Sequence, residues 1–187
     1  MYKVYAIIGK SASGKDTIVQ ELLKRNSNFH GVVSTTTRPK RDYEIHGKDY
    51  YYVSEEEFVN LCNEDAMLEV SVFNSWLYGT SKTSLDKEKI NLGVFNIQGI
   101  NSLMERDDVD LRVFYVVAED KNRLMRQLSR ENSPNIDEII RRYSTDKADF
   151  AEYNINFLYT SIENNNDEDF ENCLATIQAF AEDDYSL

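Results

Sequence analysis

Near the start of the chain, Gly9, Gly14 and Lys15 stand at the spacing G-x-x-x-x-G-K, followed by Asp16 and Thr17. Glycines at those positions let successive backbone N–H groups turn into one concavity. A helix that starts at the lysine adds its positive end, so the segment can cradle a chain of phosphates. Lys15 would reach the outer phosphates and Thr17 would offer a hydroxyl to the innermost one, while Ser11 and Ser13 complete the polar set of the loop. The hydroxyl usual directly after the lysine is replaced by Asp16. An acid in a first helical turn gains roughly 0.3–1 kcal/mol from the helix dipole. Beside a triphosphate it is repulsive unless a cation lies between, and magnesium accepts carboxylate oxygen directly or through water. Asp16 is therefore the candidate metal ligand.

A second group lies downstream, in "VVSTTTRPKRDYEIHGKDYYYV" and "MLEVSVFNSWLYGT". Ser34, Arg38, Arg41, Glu44, Gly47, Tyr50, Glu69, Tyr78, Gly79 and Thr80 follow a pattern that resembles the guanylate kinases. The resemblance is close over about the first hundred residues and looser over the last third. It implies ATP and GMP as ligands, magnesium as the metal, and small-molecule nucleotides as the partners. It also assigns Ser34, Arg38, Arg41, Tyr50, Glu69, Tyr78, Thr80 and Asn96 to the acceptor GMP. The physical chemistry agrees with that assignment. Arg38 and Arg41 can hold a monoester dianion through charge-assisted hydrogen bonds worth roughly 1.5–3 kcal/mol each. Tyr50 and Tyr78 add phenolic donors. Guanine presents a ring N–H and an amino group side by side, and Glu69 can accept from both, whereas adenine presents an acceptor at that ring nitrogen. A site built on such bonds can reject the wrong base by roughly 10⁴ or more.

Arg126, Arg130, Arg141 and Arg142 resemble the lid and hinge arginines of the family. On that basis Arg126 and Arg130 join the ATP set, and Lys15, Arg38, Arg130 and Arg142 are the residues expected to stabilise the transferred charge. The family usually carries acids at the end of the strand read here as "GVFNIQG", where this chain has Asn96 and no carboxylate. The expectation is that the carboxylate has moved to Asp16. Two alternatives stay open: a kinase of the same fold for a deoxynucleotide or a sugar phosphate, and a non-catalytic guanylate-kinase-like module that binds protein ligands.

The elements that must position these residues are legible in outline. Val4 to Ile8 reads as a buried strand and "DTIVQELLKR" as a helix with Ile18, Leu22 and Leu23 at helical spacing, which places the loop between strand and helix. Strands are expected at "GVVS", "DYYYV", "MLEVSVF", "GVFNI", "LRVFYVV" and "NINFLYT". Helices are expected at Glu55–Asn63, Thr83–Ile90, Asp120–Arg130 and Pro134–Tyr153, with Ser54 and Glu57 forming a capping box and Ser133 the N-cap before Pro134. The alternation implies an α/β fold around a parallel sheet. One domain spans 1–187: a core of about 1–33 and 80–187, a small mixed acceptor-binding subdomain at about 34–79, and a lid at about 126–142. "ENNNDED" reads as a solvated turn before a last helix, and "AEDDYSL" as a solvated tail.

With 21 Lys and Arg against 33 Asp and Glu, the net charge of −12 argues against a nucleic-acid surface and makes any phosphate site local. No apolar run is long enough to cross a membrane, and no leader for export is visible at the start. Cys62 and Cys173 belong to no C-x-x-C pair or Cys/His cluster, which suggests a reducing cytoplasm.

Overall fold

The computed structural model describes residues 1–187 apart from 43, 74, 131, 132, 152, 153, 186 and 187. Along the chain run β1 (Tyr2–Ile8), α1 (Lys15–Arg25), β2 (Phe29–Gly31), β3 (Thr35–Thr36), β4 (Tyr51–Tyr52), α2 (Glu55–Asn63), β5 (Met67–Phe73) and β6 (Trp76–Ser81). A 3-10 turn at Lys82–Ser84 leads to β7 (Ile90–Val94), α3 (Ile97–Met104), β8 (Val109–Val117), α4 (Asp120–Ser129), α5 (Ile136–Asp149), β9 (Thr160–Glu163) and α6 (Asp167–Tyr185). The central sheet has the order β2-β7-β1-β8-β9, with parallel pairing of β2 to β7 and of β8 to β9. A second sheet, β4-β3-β6-β5, is mixed: β3 pairs parallel with β4 and antiparallel with β6, which pairs antiparallel with β5. This is the α/β class expected from the sequence.

The chain divides into two compact units, one made of Met1–Tyr5 with Asn28–Leu111 and one of Ala6–Ser27 with Arg112–Leu187. In the first, Val4, Phe29, Phe58, Leu68, Ile90, Leu92, Ile100 and Leu103 are buried. In the second, Ile7, Ile8, Ile18, Leu22, Phe114, Val116, Leu174 and Ile177 are buried. Each such side chain removed from water contributes about 1.5–3 kcal/mol, so α1 is held by the Ile18 and Leu22 face that its sequence period predicts.

Local signals place several boundaries. Ser54 and Glu57 form the capping box of α2, the Ser54 Oγ accepting from Glu57 N and the Glu57 carboxylate accepting from Ser54 N. Other expectations need correction. Thr83–Ile90 is not a helix but a short 3-10 turn running into β7, because Asn91 Oδ1 accepts from Asp86 N and its amide donates to Asp86 O. The strand read through "GVFNI" stops at Val94, and Asn96 instead caps α3, a helix the sequence reading missed. The N-cap of α5 is Asn135 rather than Ser133, its Oδ1 accepting from Glu138 N. The last strand is Thr160–Glu163 rather than "NINFLYT". The "AEDDYSL" segment starts inside α6, where Ala181 is buried and Asp184 pairs bidentately with Arg112. Part of the expected lid, at 131 and 132, and the end of the expected α5, at 152 and 153, lie outside the described residues.

Candidate functional site

The expected residues fall into two groups, one in each compact unit. In the second unit the loop between β1 and α1 closes on itself through Ser13 N donating to Lys10 O at 3.1 Å. Gly14, the N-cap of α1, has φ +97°, and a Cβ there would meet Asn164 Nδ2 at 2.2 Å, so both conformation and space require glycine. Ser13 is buried, and its Oγ makes no hydrogen bond among the described residues. Such an orphaned polar atom is what a cradle for a polar ligand leaves behind. The Lys15 ammonium donates to Lys10 O at 3.4 Å. Burial lowers its pKa, against the charges of Asp16 and Asp146, and Arg130 and Arg123 lower it further. Asp16 and Thr17 are exposed in the first turn of α1.

Residues that sequence reasoning passed over hold this loop. Arg123, 1 % exposed, donates from Nε to Ser11 O at 3.0 Å, from Nη1 to Asp120 Oδ1 at 2.7 Å, and from Nη2 to Asp146 Oδ2. Asp146 in turn accepts from Ser11 N at 2.9 Å and from Ser11 Oγ at 3.1 Å. Asn164, within the segment read as a solvated turn, is 4 % exposed and donates to Ser13 O at 2.8 Å. Arg126 lies along the same wall, with Nη2 donating to Asn164 O at 2.8 Å and Nη1 to Ser13 O at 3.3 Å. No local period marks these contacts.

Of the other lid arginines, Arg130 is exposed at the C-cap of α4 and acts electrostatically on Lys15. Arg141 and Arg142 both grip Glu138 on α5, Arg141 Nε at 2.7 Å from Oε2 and Arg142 Nε at 2.7 Å from Oε1. The Arg141 hydrogen bond is the largest cause that holds the Glu138 carboxyl down at about 2.

In the first unit, Arg38 is 7 % exposed and its Nη2 donates to Glu44 Oε1 at 2.7 Å, while Nη1 donates to Pro39 O at 2.9 Å. Burial alone would lower the guanidinium pKa, but the Glu44 hydrogen bond and charge raise it. Burial likewise pushes Glu44 up, and Arg38 and the Arg41 backbone N–H, which donates to Glu44 Oε2 at 2.8 Å, outweigh it and bring the carboxyl to about 2. The Arg41 guanidinium is exposed, with Nη1 3.7 Å from Glu44 Oε1. Tyr50 lies edge-on to Tyr78, and the Arg38 guanidinium sits 5.5 Å from the Tyr50 ring centroid. Ser34 is half-buried and its carbonyl accepts from Tyr51 N.

Glu69 is 7 % exposed on β5 and accepts from Thr80 Oγ1 at 2.8 Å, Thr80 being fully buried on β6. Its other oxygen faces α3, where a Cβ on Gly99 would come within 2.9 Å of Oε2. Desolvation raises the Glu69 pKa to about 7, with the Thr80 hydroxyl and backbone N–H opposing. Among the described residues no cation pairs with it. Asn96 serves the same wall: its Oδ1 accepts from Gly99 N at 2.7 Å and its amide donates to Ser71 Oγ at 2.9 Å. The structure thus brings Glu69, Thr80 and the α3 terminus together, and separately gathers Arg38, Arg41, Tyr50 and Tyr78 around Glu44.

Comparison with known proteins gives the pattern a family. The family model described as guanylate kinase matches residues 1–184. A guanylate kinase of Thermotoga maritima is 37% identical over 119 residues, covering 62% of this chain and 57% of its own length. One from Clostridium tetani is 38% identical over 128 residues, covering 65% of this chain and 61% of its own. The matched region therefore spans less than two thirds of those relatives. The crystal structure of a guanylate kinase from Anaplasma phagocytophilum superposes with a TM-score of 0.67 at 26% identity, over 96% of this chain and 87% of that one. With a glycine-lysine phosphate loop in one unit and the Arg38, Arg41, Glu69 and Thr80 set in the other, the chain belongs to the guanylate kinase family.

Proposed function

We propose that the protein transfers the terminal phosphate of ATP to GMP, with dGMP as the related acceptor, giving ADP and the nucleoside diphosphate. The observation that carries this reading is Glu69, a buried carboxylate bonded to a hydroxyl and matched by no cation among the described residues. Burying an acid without a partner is unfavourable, and a ligand presenting two adjacent N–H donors relieves it. Guanine does so. Arg38, Arg41, Tyr50 and Tyr78 then receive the acceptor's phosphate. On the donor side the N–H groups of the loop and Lys15 hold the ATP phosphates. Thr17, Ser11, Ser13, Arg126 and Arg130 complete that set, and Arg142, on leaving Glu138, adds charge around the migrating group. In phosphoryl transfer most of the work is positioning and charge stabilisation, so no general base is required of His46 or any other side chain.

Magnesium, when bound with the donor, neutralises its phosphates. Among the described residues no cluster of three or more metal-ligating side chains exists, so the phosphate oxygens would supply most of the coordination and Asp16, exposed beside Lys15, would supply the protein's share. Among the described residues no helix is long and apolar enough to cross a membrane. Cys62 and Cys173 are unpaired thiols, which suits a reducing compartment such as the cytoplasm.

The test is ATP-dependent formation of GDP from GMP, with Lys15→Ala as control and magnesium titrated for the wild type and Asp16→Ala. Turnover in the wild type, lost by about 10²–10³-fold in Lys15→Ala, is expected. Asp16→Ala should raise the magnesium requirement; an unchanged requirement removes Asp16 from the metal. A preference for an acceptor without guanine overturns the substrate, and binding without turnover supports the non-catalytic alternative.

A further inference from the structure

The Tyr52 hydroxyl is buried and makes no hydrogen bond of ordinary geometry among the described residues. It is the least explained polar atom of the acceptor half-site. The ring sits under the Arg38 guanidinium, whose carbon is 5.7 Å from the ring centroid, and Tyr52 is fixed in β4 by its N–H donating to His46 Nδ1 at 3.2 Å. The acceptor within its reach is Glu44: burial first, and a hydrogen bond toward Glu44 second, raise the phenol's pKa, and Tyr52 in turn helps to hold Glu44 down.

Glu44 explains why a donor without a well-aligned bond would be kept there. Its Oε2 is committed to the Arg41 backbone N–H, and its Oε1 to Arg38 Nη2. When an acceptor phosphate draws Arg38 toward itself, Oε1 loses its main partner on a carboxylate that is only 7 % exposed. The Arg41 guanidinium, 3.7 Å from the same oxygen, cannot fill the gap, because the same phosphate claims it. A buried carboxylate oxygen left bare opposes binding, and a hydroxyl already in place removes that penalty.

We propose that Tyr52 is a positioning residue of the acceptor site, whose hydroxyl takes over Glu44 Oε1 when the acceptor's phosphate pulls Arg38 away. The inference rests on the acceptor reading given above and adds a residue to it. Tyr52 touches no reacting atom. It lowers the work of releasing Arg38, so its effect belongs to binding of a phosphorylated acceptor and not to the chemical step.

The experiment is Tyr52→Phe, which removes one hydroxyl and keeps the ring, in the full chain. Calorimetric titration should show GMP bound about three- to tenfold more weakly and guanosine, which lacks the phosphate, bound as by the wild type. The kinetic counterpart is a raised KM for GMP with kcat and KM for ATP unchanged. In a Glu44→Gln background the Tyr52→Phe effect should vanish, because the two act as one unit. Equal weakening of GMP and guanosine would reduce Tyr52 to packing and overturn the proposal, as would unchanged GMP affinity. Wild-type protein that binds GMP yet makes no GDP would overturn the activity alone, with Tyr52 still judged by the titrations. Wild-type protein that does not bind GMP would overturn both.

Discussion

Glu69 sets the behaviour of the acceptor site one residue at a time. Its carboxyl titrates near 7 in the folded chain against an ordinary value of 4.5, so between those values the folded state holds a proton that the unfolded state has released. Stability attributable to Glu69 therefore falls as pH rises from about 4.5 to about 7 and is flat above, a loss of about 3 kcal/mol at 1.36 kcal/mol per pKa unit. Guanine binding, as proposed, would need the ionised form and so would work in the opposite direction. Glu69→Gln keeps the acceptor oxygen for Thr80 but cannot ionise. It should be more stable than the wild type by up to about 3 kcal/mol at pH 8, with the gap closing toward pH 5, while KM for GMP rises at least tenfold. Urea melts at the two pH values, with acceptor titrations at pH 8, check both parts. A variant less stable than the wild type at pH 8 would contradict the account.

At the scale of elements, the loop, α4 and α5 form one assembly within the second unit. Asp146 on α5 accepts both Ser11 donors and Arg123, while Arg123 on α4 returns a hydrogen bond to the Ser11 carbonyl. A phosphate loop must hold its N–H groups in place before the ligand arrives, and this pair restrains it from outside. Removing Asp146 leaves the buried Arg123 with the half-exposed Asp120 and the Ser11 carbonyl as its remaining partners, so Asp146→Ala should destabilise by about 1–3 kcal/mol. The double change Arg123→Met with Asp146→Leu removes both charges and should recover most of that stability. KM for ATP should nonetheless rise, because Ser11 has lost its anchor. Urea denaturation and ATP kinetics on the three proteins separate the two effects, and a double variant with wild-type ATP kinetics would show the pair to be packing only.

For the whole molecule the governing quantity is the net charge of −12. Unscreened like charges oppose the compact state, and the Debye length falls from about 30 Å to less than 10 Å between 0.01 M and 0.2 M salt. The melting temperature should rise by about 2–4 °C over that range, the shift that about 1 kcal/mol produces in a chain of this size. A fall would mean that local pairs such as Arg25 with Glu171 and Arg112 with Asp184, which salt weakens, outweigh the global repulsion. On the proposed function both ligands are anions approaching an acidic protein, so their affinity would depend on the local arginines and Lys15 and not on long-range attraction.

The sequence by itself determined whatever depends on neighbours a few residues apart. The period of Ile18 and Leu22 made α1, Ser54 and Glu57 capped α2, and the spacing of Gly9, Gly14 and Lys15 announced the loop, since each rests on interactions within one or two turns of chain. The family pattern made Arg38, Glu69 and Thr80 legible for the same reason: its signature is a spacing. Tertiary structure alone decided the rest. The exception is α3, whose local signals, the Asn96 cap and Ile97, Ile100, Leu103 and Met104 at helical spacing, are passed over when "GVFNI" is read as strand. Arg123 and Asp146 lie 23 residues apart, and Asp146 and Ser11 135 apart, so no window of sequence displays them as a unit. Asn164 looked solvated because its neighbours are, and only the folded chain turns it under the loop. Capping and periodicity are paid in local free energy, whereas the buried polar contacts exist only once distant segments have excluded water between them.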